Sequence, residues 1–407
     1  MTDLSAKVLI VGAGITGLRC AMNMAEIGLE TILVDQADAP GGLLLGLEHQ
    51  FPTDHCGLCR ILPQIHRDDA TDGCLRRGLI HDKVIFRPRT TITTVAGRPG
   101  DLSVAAIFKP LDINPGLCIA CGACLKACPV LVPDPFNFGL THRKAVHLAT
   151  PFAPSGAYVI DWSACTKCAQ CQAVCPTKAV NLDSESRVEQ FHHVALVIRA
   201  TGRGLFDPSK VDLYGGGALP NVITAAAYER LISPLGPLGG LSVNGQPYRP
   251  SDHQAAERIA WVQCVGSRNI MLGADYCSNV CCSYALKEAA LTAKRSMGKV
   301  EASIFYMDLG TYGRDMQRYK DQVAMEPGVR LIRCRIHSLD QAVDPNQVRV
   351  RFTDPAGEPQ AEDFDMVVLS TGMVAQPGDK SASGSKGDFP IDKSNQETIP
   401  ENQDDAW

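Results

Sequence analysis

The chain begins with an alternation of apolar and polar stretches that is typical of an α/β fold. Lys7–Val11 is a short apolar run of the length expected for a buried strand. Leu18–Ile27 carries apolar residues at helical spacing, and Glu30–Val34 is a second short apolar run. The order strand, helix, strand predicts a βαβ unit at the start of the chain.

A group of strand-like segments comes later, with a turn at Gly97–Gly100. We expect them to form a small β-meander. Val194–Ile198 is a further apolar strand that runs into Ala200-Thr201-Gly202, and we interpret it as the return of the chain to the first α/β unit. The expected strands of the meander are Val84–Phe86, Thr90–Val95 and Leu102–Phe108.

A second α/β unit is predicted after the Gly/Pro-rich stretch Ser233–Arg249, which reads as a linker. From Pro377 the chain is polar and almost free of core-forming residues, which predicts a disordered tail. The second unit is expected to contain strands at Ile259–Val262, Ala302–Met307, Val329–Cys334 and Met366–Leu369, with helices at Asn279–Arg295 and Arg314–Met325.

Composition narrows the class of protein. With 407 residues, 45% of them hydrophobic, the chain can form two or three domains with cores. A net charge of -5 argues against nucleic acid as the main partner. Met1–Ser5 is mostly polar, so we expect no signal peptide, and no apolar run approaches the ~20 residues of a membrane helix. The 17 cysteines are expected to stay reduced, which favours a cytoplasmic location.

The first βαβ unit contains a glycine pattern typical of dinucleotide binding. Gly12, Gly14 and Gly17 follow the first strand directly and open the helix. The first glycine allows the turn, the second lets the backbone approach a pyrophosphate, and the third lets helix and strand pack closely. Asp35 ends the second strand, where an acidic residue binds a ribose hydroxyl. The pair Gly41-Gly42 favours FAD over NAD, and Gly202 belongs to a second flavoprotein-like signature.

A doubled cysteine motif stands at the centre of the chain. Each copy has the spacing C-x2-C-x2-C-x3-C-P of bacterial two-cluster ferredoxins, in which the fourth cysteine ligates the other cluster. A zinc site or a disulfide framework is the alternative, but neither explains the triplet spacing. We therefore predict one [4Fe–4S] cluster at Cys118, Cys121, Cys124 and Cys175, and a second at Cys165, Cys168, Cys171 and Cys128.

The roles of the other cysteines are less clear from spacing. Cys277 and Cys281 are four residues apart and would share a helix face. Cys264, Cys277, Cys281 and Cys282 could ligate a third cluster in place of a nicotinamide site, because the loop Cys264–Arg268 lacks a GxGxxG pattern. The alternative is a set of buried thiols. The sequence leaves a redox or metal role for the Cys56/Cys59 pair open beside a purely structural one. We expect structural roles for Cys20, Cys74 and Cys334.

These patterns divide the chain into six segments. The predicted segments are 1–110, first part of an FAD-binding Rossmann-like domain; 111–185, inserted ferredoxin domain; 186–232, return to the FAD-binding domain; 233–254, linker; 255–375, second α/β domain; and 376–407, disordered tail.

From about Val8 to Gly372 the sequence resembles the A subunit of heterodisulfide reductase, an iron–sulfur flavoprotein. The resemblance implies a two-domain α/β flavoprotein fold like that of thioredoxin reductase, with the ferredoxin domain inserted. It strengthens the prediction of the third cluster. Besides the glycine and doubled cysteine motifs, the matching stretches are Phe51–Cys59, Gln263–Arg268, Tyr276–Lys287 and Ile304–Asp308.

The family resemblance also implies a function. FAD would accept an electron pair and split it between two acceptor chains, which is flavin-based electron bifurcation. Lys287 would lie beside the flavin N5; the alternative is a solvated helix residue. The implied partners are B- and C-like chains of a hetero-oligomer and a hydrogenase or other dehydrogenase as donor. Relative to the family, we expect this chain to lack an N-terminal extension and a last FAD-binding segment.

Two other functions are compatible with parts of the sequence. A pyridine-nucleotide-dependent oxidoreductase similar to the small subunit of glutamate synthase would also join clusters to a flavoprotein, but it needs a second glycine motif near Gly266. A flavin-free iron–sulfur relay protein is favoured by the missing FAD-binding segment. The amount of bound flavin distinguishes the relay from the flavoprotein.

Overall fold

A computed structural model describes residues 3–5, 8–47, 81–150, 158–215, 218–233, 236–313 and 315–375. Cys56, Cys59, Cys74 and the predicted tail lie outside these residues. The helices of the described part are α1 Ile15–Glu26, α2 Ala123–Ala127, α3 Gln170–Ala173, α4 Ala225–Leu231, α5 Cys281–Arg295 and α6 Met316–Ala324.

The strands of the described part form parallel and antiparallel sheets. In chain order they are β1 Asp3–Ser5, β2 Val8–Val11, β3 Thr31–Val34, β4 Val84–Arg87, β5 Thr90–Arg98, β6 Asp101–Phe108, β7 Leu131–Pro133, β8 His142–Lys144, β9 Val146–Leu148, β10 Tyr158–Ile160, β11 Arg187–Val194, β12 Leu196–Arg199, β13 Gly204–Leu205, β14 Val222–Thr224, β15 Arg258–Val265, β16 Glu301–Tyr306, β17 Val329–Arg333, β18 Arg335–Gln341, β19 Val348–Thr353, β20 Pro359–Phe364, β21 Met366–Thr371 and β22 Met373–Val374.

The first α/β unit is built on a parallel sheet with the strand order β12-β2-β3-β4. Ile10 and Leu33 pack with Leu18 of α1 on one face. Leu9 and Ile32 pack on the other face against a second sheet with the order β1-β11-β6-β5. Both faces are covered, so the strands are apolar throughout, as expected for a parallel sheet between two layers. The predicted return of the chain is confirmed, because β12 pairs in parallel with β2.

One strand lies in a different sheet from the one predicted. We expected Val84–Phe86 in the β-meander, but β4 pairs in parallel with β3 and extends the first sheet. The hairpin of β5 and β6 does form, and β11 completes it. A short apolar segment indicates a strand without indicating its neighbour, and this explains the error.

The iron–sulfur unit, defined here as residues 111–185, is inserted between β6 and β11. An isolated bridge between Ile113 and Val180 joins its two ends. Helices α2 and α3 are its two short helices, and each is preceded by a residue in the left-handed region: Gly122 (φ 73°) and Ala169 (φ 58°). The two halves therefore repeat in backbone conformation as they do in sequence.

The second α/β unit contains a parallel sheet with the order β14-β21-β15-β16-β17 and a three-stranded antiparallel sheet β18-β19-β20 that the sequence analysis did not anticipate. Tyr228 and Trp261 lie in its core at a ring-centroid distance of 5.3 Å. Strand β14 and helix α4 were assigned to the returning segment 186–232, but β14 pairs with β21 of this sheet. The other segment boundaries stay predictions.

The α/β class and the inserted unit agree with the sequence analysis. Helix bounds differ by a few residues: α5 begins at Cys281 rather than Asn279, and α6 begins at Met316. Asn279 has a φ of 57°, which a right-handed helix does not accommodate. Among the described helices we find none with the length and apolarity that a membrane crossing requires.

Candidate functional site

The turn between β2 and α1 requires glycine at its two ends. A Cβ on Gly12 would lie 2.2 Å from the carbonyl oxygen of Ala200, and one on Gly17 would lie 1.7 Å from the carbonyl oxygen of Gly12. A Cβ on Gly14 would meet no atom of the described protein within 4 Å. The turn is thus closed toward the protein at its ends and open at Gly14. This is the arrangement that lets a pyrophosphate approach the backbone and the N-terminus of α1.

Asp35 is held against this turn. Its Oδ2 accepts a hydrogen bond from the Ala13 amide at 2.5 Å, and its Oδ1 accepts one from the Ala37 amide at 2.8 Å. A carboxylate has about four acceptor positions, so both oxygens can still accept a ribose hydroxyl. The Gly41 amide donates to the Ala13 carbonyl at 2.7 Å. The residues present therefore fit the dinucleotide site predicted from the sequence.

Two cavities lie along the short 3₁₀ helix Gly42–Gly46, which follows Gly41. The larger cavity, about 830 Å³, is lined by Gly42 and by Gln36–Ala39, directly after Asp35. The smaller cavity, about 350 Å³, is lined by Leu43 and by residues of α4 and α5. Both volumes are in the range of small-molecule sites. Gly202 follows the segment that packs on Gly12, with a φ of 76°.

The ferredoxin cysteines come together as the spacing predicts. Cys118, Cys121, Cys124 and Cys175 line one small cavity. Burial raises the pKa of the Cys124 thiol to about 11, so binding of iron must displace its proton. The Ala179 amide donates to the Cys175 sulfur at 3.2 Å, and such bonds stabilise a thiolate ligand.

The second set is gathered in the same core. The charges of Cys165 and Cys168 act on the Cys171 thiol, whose pKa is raised first by burial. Cys128 is buried in the core that contains Cys171, and the Lys167 amide donates to the Cys165 sulfur at 3.4 Å. The assignment of each cysteine to a cluster stays a prediction.

The third cysteine group lies where β15 ends and α5 begins. The thiols of Cys264 and Cys282 form hydrogen bonds with Cys281, and these bonds lower the pKa of Cys281. Cys264 has a φ of 60° at a break in the strand pairing, a strained conformation that functional sites often contain. Cys281 is the first residue of α5, where the helix dipole favours a thiolate.

Cys277 is placed differently from the expectation. The sequence analysis put Cys277 and Cys281 on one helix face, but Cys277 lies before α5 and is exposed. Its charge still acts on Cys264, so the two thiols are near each other. In the described residues no three His, Cys, Asp or Glu side chains converge at the spacing of a single metal ion. An iron–sulfur cube needs thiolates spread around a larger body than one ion.

Lys287 is a buried residue, so the alternative of a solvated helix residue is wrong. It is 2% exposed and forms an ion pair with Glu229 of α4, which is 1% exposed. Glu288 is fully buried and accepts a hydrogen bond from the Trp261 indole at 2.8 Å. Burial, followed by the charge of Glu229, raises the pKa of Glu288 well above its usual value. All three ionisable side chains, Glu229, Lys287 and Glu288, line the smaller cavity.

The sequence analysis missed Glu229 and Glu288. Both are acidic residues beside apolar helix positions, Glu229 in Ala225–Leu231 and Glu288 next to Lys287. An acid among core-facing residues was the available signal. Cys20 and Cys334 are the two described cysteines for which we expect structural roles. Cys20 packs beside the core of the first unit, and burial raises the pKa of Cys334 to about 11.

Comparison with known protein families supports the cofactors. Residues 7–44 match an FAD binding domain, and residues 117–180 match a 4Fe-4S dicluster domain. A dinucleotide turn and a two-cluster ferredoxin motif in one α/β chain define an iron–sulfur flavoprotein. FAD and iron–sulfur clusters are therefore the cofactors for which the chain is built, while the number of clusters stays a prediction.

Several curated proteins of this class are similar to the chain. The second iron–sulfur A subunit of CoB–CoM heterodisulfide reductase from Methanopyrus kandleri is 34% identical over 373 residues, which are 91% of this chain and 54% of the relative. The A subunit of the H(2)/formate:CoB-CoM heterodisulfide,ferredoxin reductase from Methanococcus maripaludis is 34% identical over 377 residues, 92% of this chain and 55% of the relative. Over nearly all of its length the chain is thus similar to heterodisulfide reductase A subunits, and the predicted resemblance is confirmed.

The chain spans about half the length of the curated relatives it matches. Among solved structures, thioredoxin reductase of T. acidophilum is similar with a TM-score of 0.41 and 11% identity, covering 91% of this chain and 78% of that chain. This likeness is weak, so the fold class rests on the sheets and the family matches described above.

Proposed function

We propose that this chain is an oxidoreductase subunit that transfers electrons within a heterodisulfide-reductase-like complex. It would hold FAD at Gly12–Gly17, two [4Fe–4S] clusters in the iron–sulfur unit, and a third cluster at Cys264, Cys277, Cys281 and Cys282. FAD exchanges electrons in pairs or singly, and a cluster carries one at a time. The protein's own task is to fix the distances and potentials of these groups.

One observation carries this proposal: the smaller cavity and the third cysteine group share helix α5. Val280 and Ser283, which flank the Cys281–Cys282 pair in sequence, both line the cavity, as does Lys287. Cys281 and Lys287 lie in the same helix, separated by about 9 Å along its axis. A flavin ring in this cavity would lie close to a cluster at the cysteines.

The charged residues of the cavity support a flavin there. The Lys287 ammonium is held by its ion pair with Glu229 rather than by solvent. A fixed cation at the cavity wall favours an anionic form of whatever group binds beside it. We accordingly propose that Lys287 stabilises the anionic reduced form of the flavin and that Glu229 positions Lys287.

The surface supports exchange of electrons with partner chains. Cys121, Cys168 and Cys277 are exposed, so one edge of each proposed cluster reaches the surface. We propose B- and C-like chains and a hydrogenase or other dehydrogenase as partners, in a cytoplasmic hetero-oligomer.

Cofactor content after anaerobic purification tests the proposal. We expect about one FAD and about twelve irons per chain, with matching sulfide. A content of about eight irons per chain together with FAD would contradict the third cluster. Clusters without FAD would support the relay function instead.

A pair of glycine variants controls this measurement. Gly12→Val places a side chain against the Ala200 carbonyl and should abolish FAD binding while the iron remains. Gly357→Val is the matched control, since Gly357 also has a positive φ (93°) but a Cβ there meets no described atom within 4 Å. Loss of FAD in both variants would show a general effect on folding.

Electron bifurcation is the finer part of the proposal. It requires that the two one-electron potentials of the flavin be inverted, which a redox titration followed by EPR measures. Inverted potentials would support bifurcation. Potentials that are not inverted would contradict bifurcation and support simple electron transfer. Anaerobic mixing with NADH or NADPH should leave the flavin oxidised, because the loop Cys264–Arg268 lacks the glycine motif of a nicotinamide site. Rapid reduction would favour the glutamate-synthase-like function.

A further inference from the structure

The larger cavity has walls from two different units of the chain. Gln36–Ala39 and Gly42 belong to the first α/β unit, while His147, Ile160 and Trp162 belong to the iron–sulfur unit. Each family match covers only one of these walls, residues 7–44 the first and residues 117–180 the second. The cavity is therefore a feature of the way in which the unit is inserted.

The position of the cavity indicates which part of a dinucleotide would enter it. Its wall Gln36–Ala39 begins directly after Asp35, the acid expected on a ribose. A Cβ on Gly42 would lie 3.1 Å from Gly14 Cα, so the cavity starts at the pyrophosphate turn. The smaller cavity is lined by Leu43, the next residue of the same short helix, and is the one that we propose for the flavin ring. A dinucleotide bound across the turn would place its adenosine half in the larger cavity.

A buried arginine fixes the two walls to each other. Arg89 forms an ion pair with Asp38 on the first wall and with Asp112 of the iron–sulfur unit at 2.6 Å. Its guanidinium also donates to the Ile160 carbonyl at 3.4 Å. Because one side chain holds both units, the width of the cavity is set by the folded state of the iron–sulfur unit.

The chemistry of the inserted wall suits a purine base. The Trp162 indole Nε1 is buried and has no hydrogen-bond partner among the described residues. An unused buried donor in a cavity wall calls for an acceptor, and adenine ring nitrogens are acceptors. Lys109 and Lys167 lie 5.2 and 5.8 Å from the centre of the Trp162 ring. The neighbouring His147 is held neutral, because burial, followed by the charge of Arg143, lowers its pKa.

We propose that the iron–sulfur unit forms one wall of the adenosine site of FAD, with Trp162 as its contact residue, so that FAD binding and cluster assembly are coupled. The inference rests on the proposed FAD function and adds to it a role for the inserted unit in binding. Coupling of this kind is reciprocal: a folded unit strengthens FAD binding, and bound FAD stabilises the unit.

The test compares FAD with FMN, which has the same ring but lacks the adenosine. Flavin-depleted protein that retains its iron is titrated anaerobically with each flavin. Trp162→Ala should weaken FAD binding by about tenfold, the size of one lost buried hydrogen bond, and change FMN binding less than about twofold. Trp162→Phe keeps an aromatic ring but has no donor, so it should lose affinity for FAD as Trp162→Ala does. Phe138→Ala, which removes an aromatic side chain of the same unit outside the cavity, is the control.

The outcomes separate this inference from the proposed function. Unchanged FAD affinity in Trp162→Ala, or an equal loss of FAD and FMN affinity, overturns the adenosine wall and leaves the flavoprotein intact. Failure of the unaltered protein to bind FAD at all, with its iron present, overturns the proposed function and the wall together. Iron content is measured in every variant, so a variant that has lost its clusters is recognised. If Trp162→Ala has lost its clusters, the affinity of Trp162→Phe for FAD tests the proposal instead.

Discussion

The iron–sulfur unit and the second α/β unit both gather cysteines, but they are held together by different interactions. In the iron–sulfur unit Cys124, Cys128 and Cys171 are themselves members of the buried core. In the second unit the core clusters are formed by large apolar side chains such as Trp261 and Phe305. Cys264, Cys281 and Cys282 are buried as well, but they are not members of these clusters.

This difference has a thermodynamic consequence. A unit of fewer than about 80 residues rarely has a sufficient hydrophobic core and usually needs a metal or disulfides. The iron–sulfur unit is of this kind, so its clusters would be part of its folding free energy. The five-stranded sheet of the second unit has an apolar core of its own, so we expect this unit to fold without a cluster and to bind one afterwards. An iron–sulfur cluster would thus be required for folding of the iron–sulfur unit but not for folding of the second α/β unit.

Removal of iron should produce the largest effect and should affect the two units unequally. With an anaerobic chelator, we expect residues 111–185 to lose protection from hydrogen exchange, while β15, β16 and α5 keep theirs. Hydrogen exchange followed by mass spectrometry measures both in one sample. Equal loss of protection in both units would contradict the comparison, and so would full protection of the iron-free insertion.

The second unit should depend instead on its buried ion pair. Lys287→Met leaves the Glu229 carboxylate buried without its cation, and we expect a loss of about 3–5 kcal/mol in the free energy of unfolding of this unit. Urea denaturation monitored by hydrogen exchange in β15 measures the loss. The iron of the inserted unit, about eight atoms per chain, should be unaffected.

Two variants control this experiment. Lys294→Met changes an exposed lysine of the same helix and should cost less than about 0.5 kcal/mol. The double variant Lys287→Met/Glu229→Gln removes both charges and should recover much of the stability. If the double variant is no more stable than Lys287→Met, the ion pair is not the cause.

The comparison also explains what the sequence could and could not predict. The ferredoxin cysteines and the Gly12–Gly17 turn are local patterns, because their ligands or close contacts follow from spacing along the chain. The neighbour of β4 and the sheet of β14 depend on contacts between distant segments, and both were misplaced. Strand propensity says nothing about which strand lies alongside.

The same limit applies to the third cysteine group and the smaller cavity. Spacing alone placed Cys277 on a helix, but the left-handed residue Asn279 delays the start of α5 to Cys281. The burial of Lys287 depends on Glu229, which is distant in sequence and belongs to another helix. Residue types marked these positions, while only tertiary packing determined their environment.

Loss of the third cluster should change composition more than stability. Cys281→Ser removes the thiol that bonds to both Cys264 and Cys282, and we expect the iron content to fall by about four per chain. Hydrogen exchange in β15 should remain slow, since the core does not contain the cluster. Cys334→Ser is the control, because Cys334 lines a cavity with Cys264 but is predicted to be structural. Loss of iron in the control would make Cys334 a ligand.

The most gradual expected effect is the pH dependence that Glu288 adds to the stability of the second unit. Burial raises its pKa, so folding takes up a proton at pH values above about 4.3, the usual pKa of glutamate. Stability from this group is fully present below that pH and is lost, at up to about 1.4 kcal/mol per pH unit, until the folded-state pKa is passed. Glu288→Gln keeps an acceptor for the Trp261 indole and cannot titrate.

The free energy of unfolding of Glu288→Gln should therefore rise relative to that of the unaltered protein as the pH increases. Urea denaturation from about pH 5 to pH 9, again monitored in β15, measures this difference. Glu358→Gln, in an exposed turn of the same unit, should leave the pH dependence unchanged. A constant difference across the range would mean that Glu288 is ionised in the folded protein. Glu229 and Glu288 would then both be ionised beside Lys287, and burial in the core of the second unit would not be enough to keep Glu288 protonated.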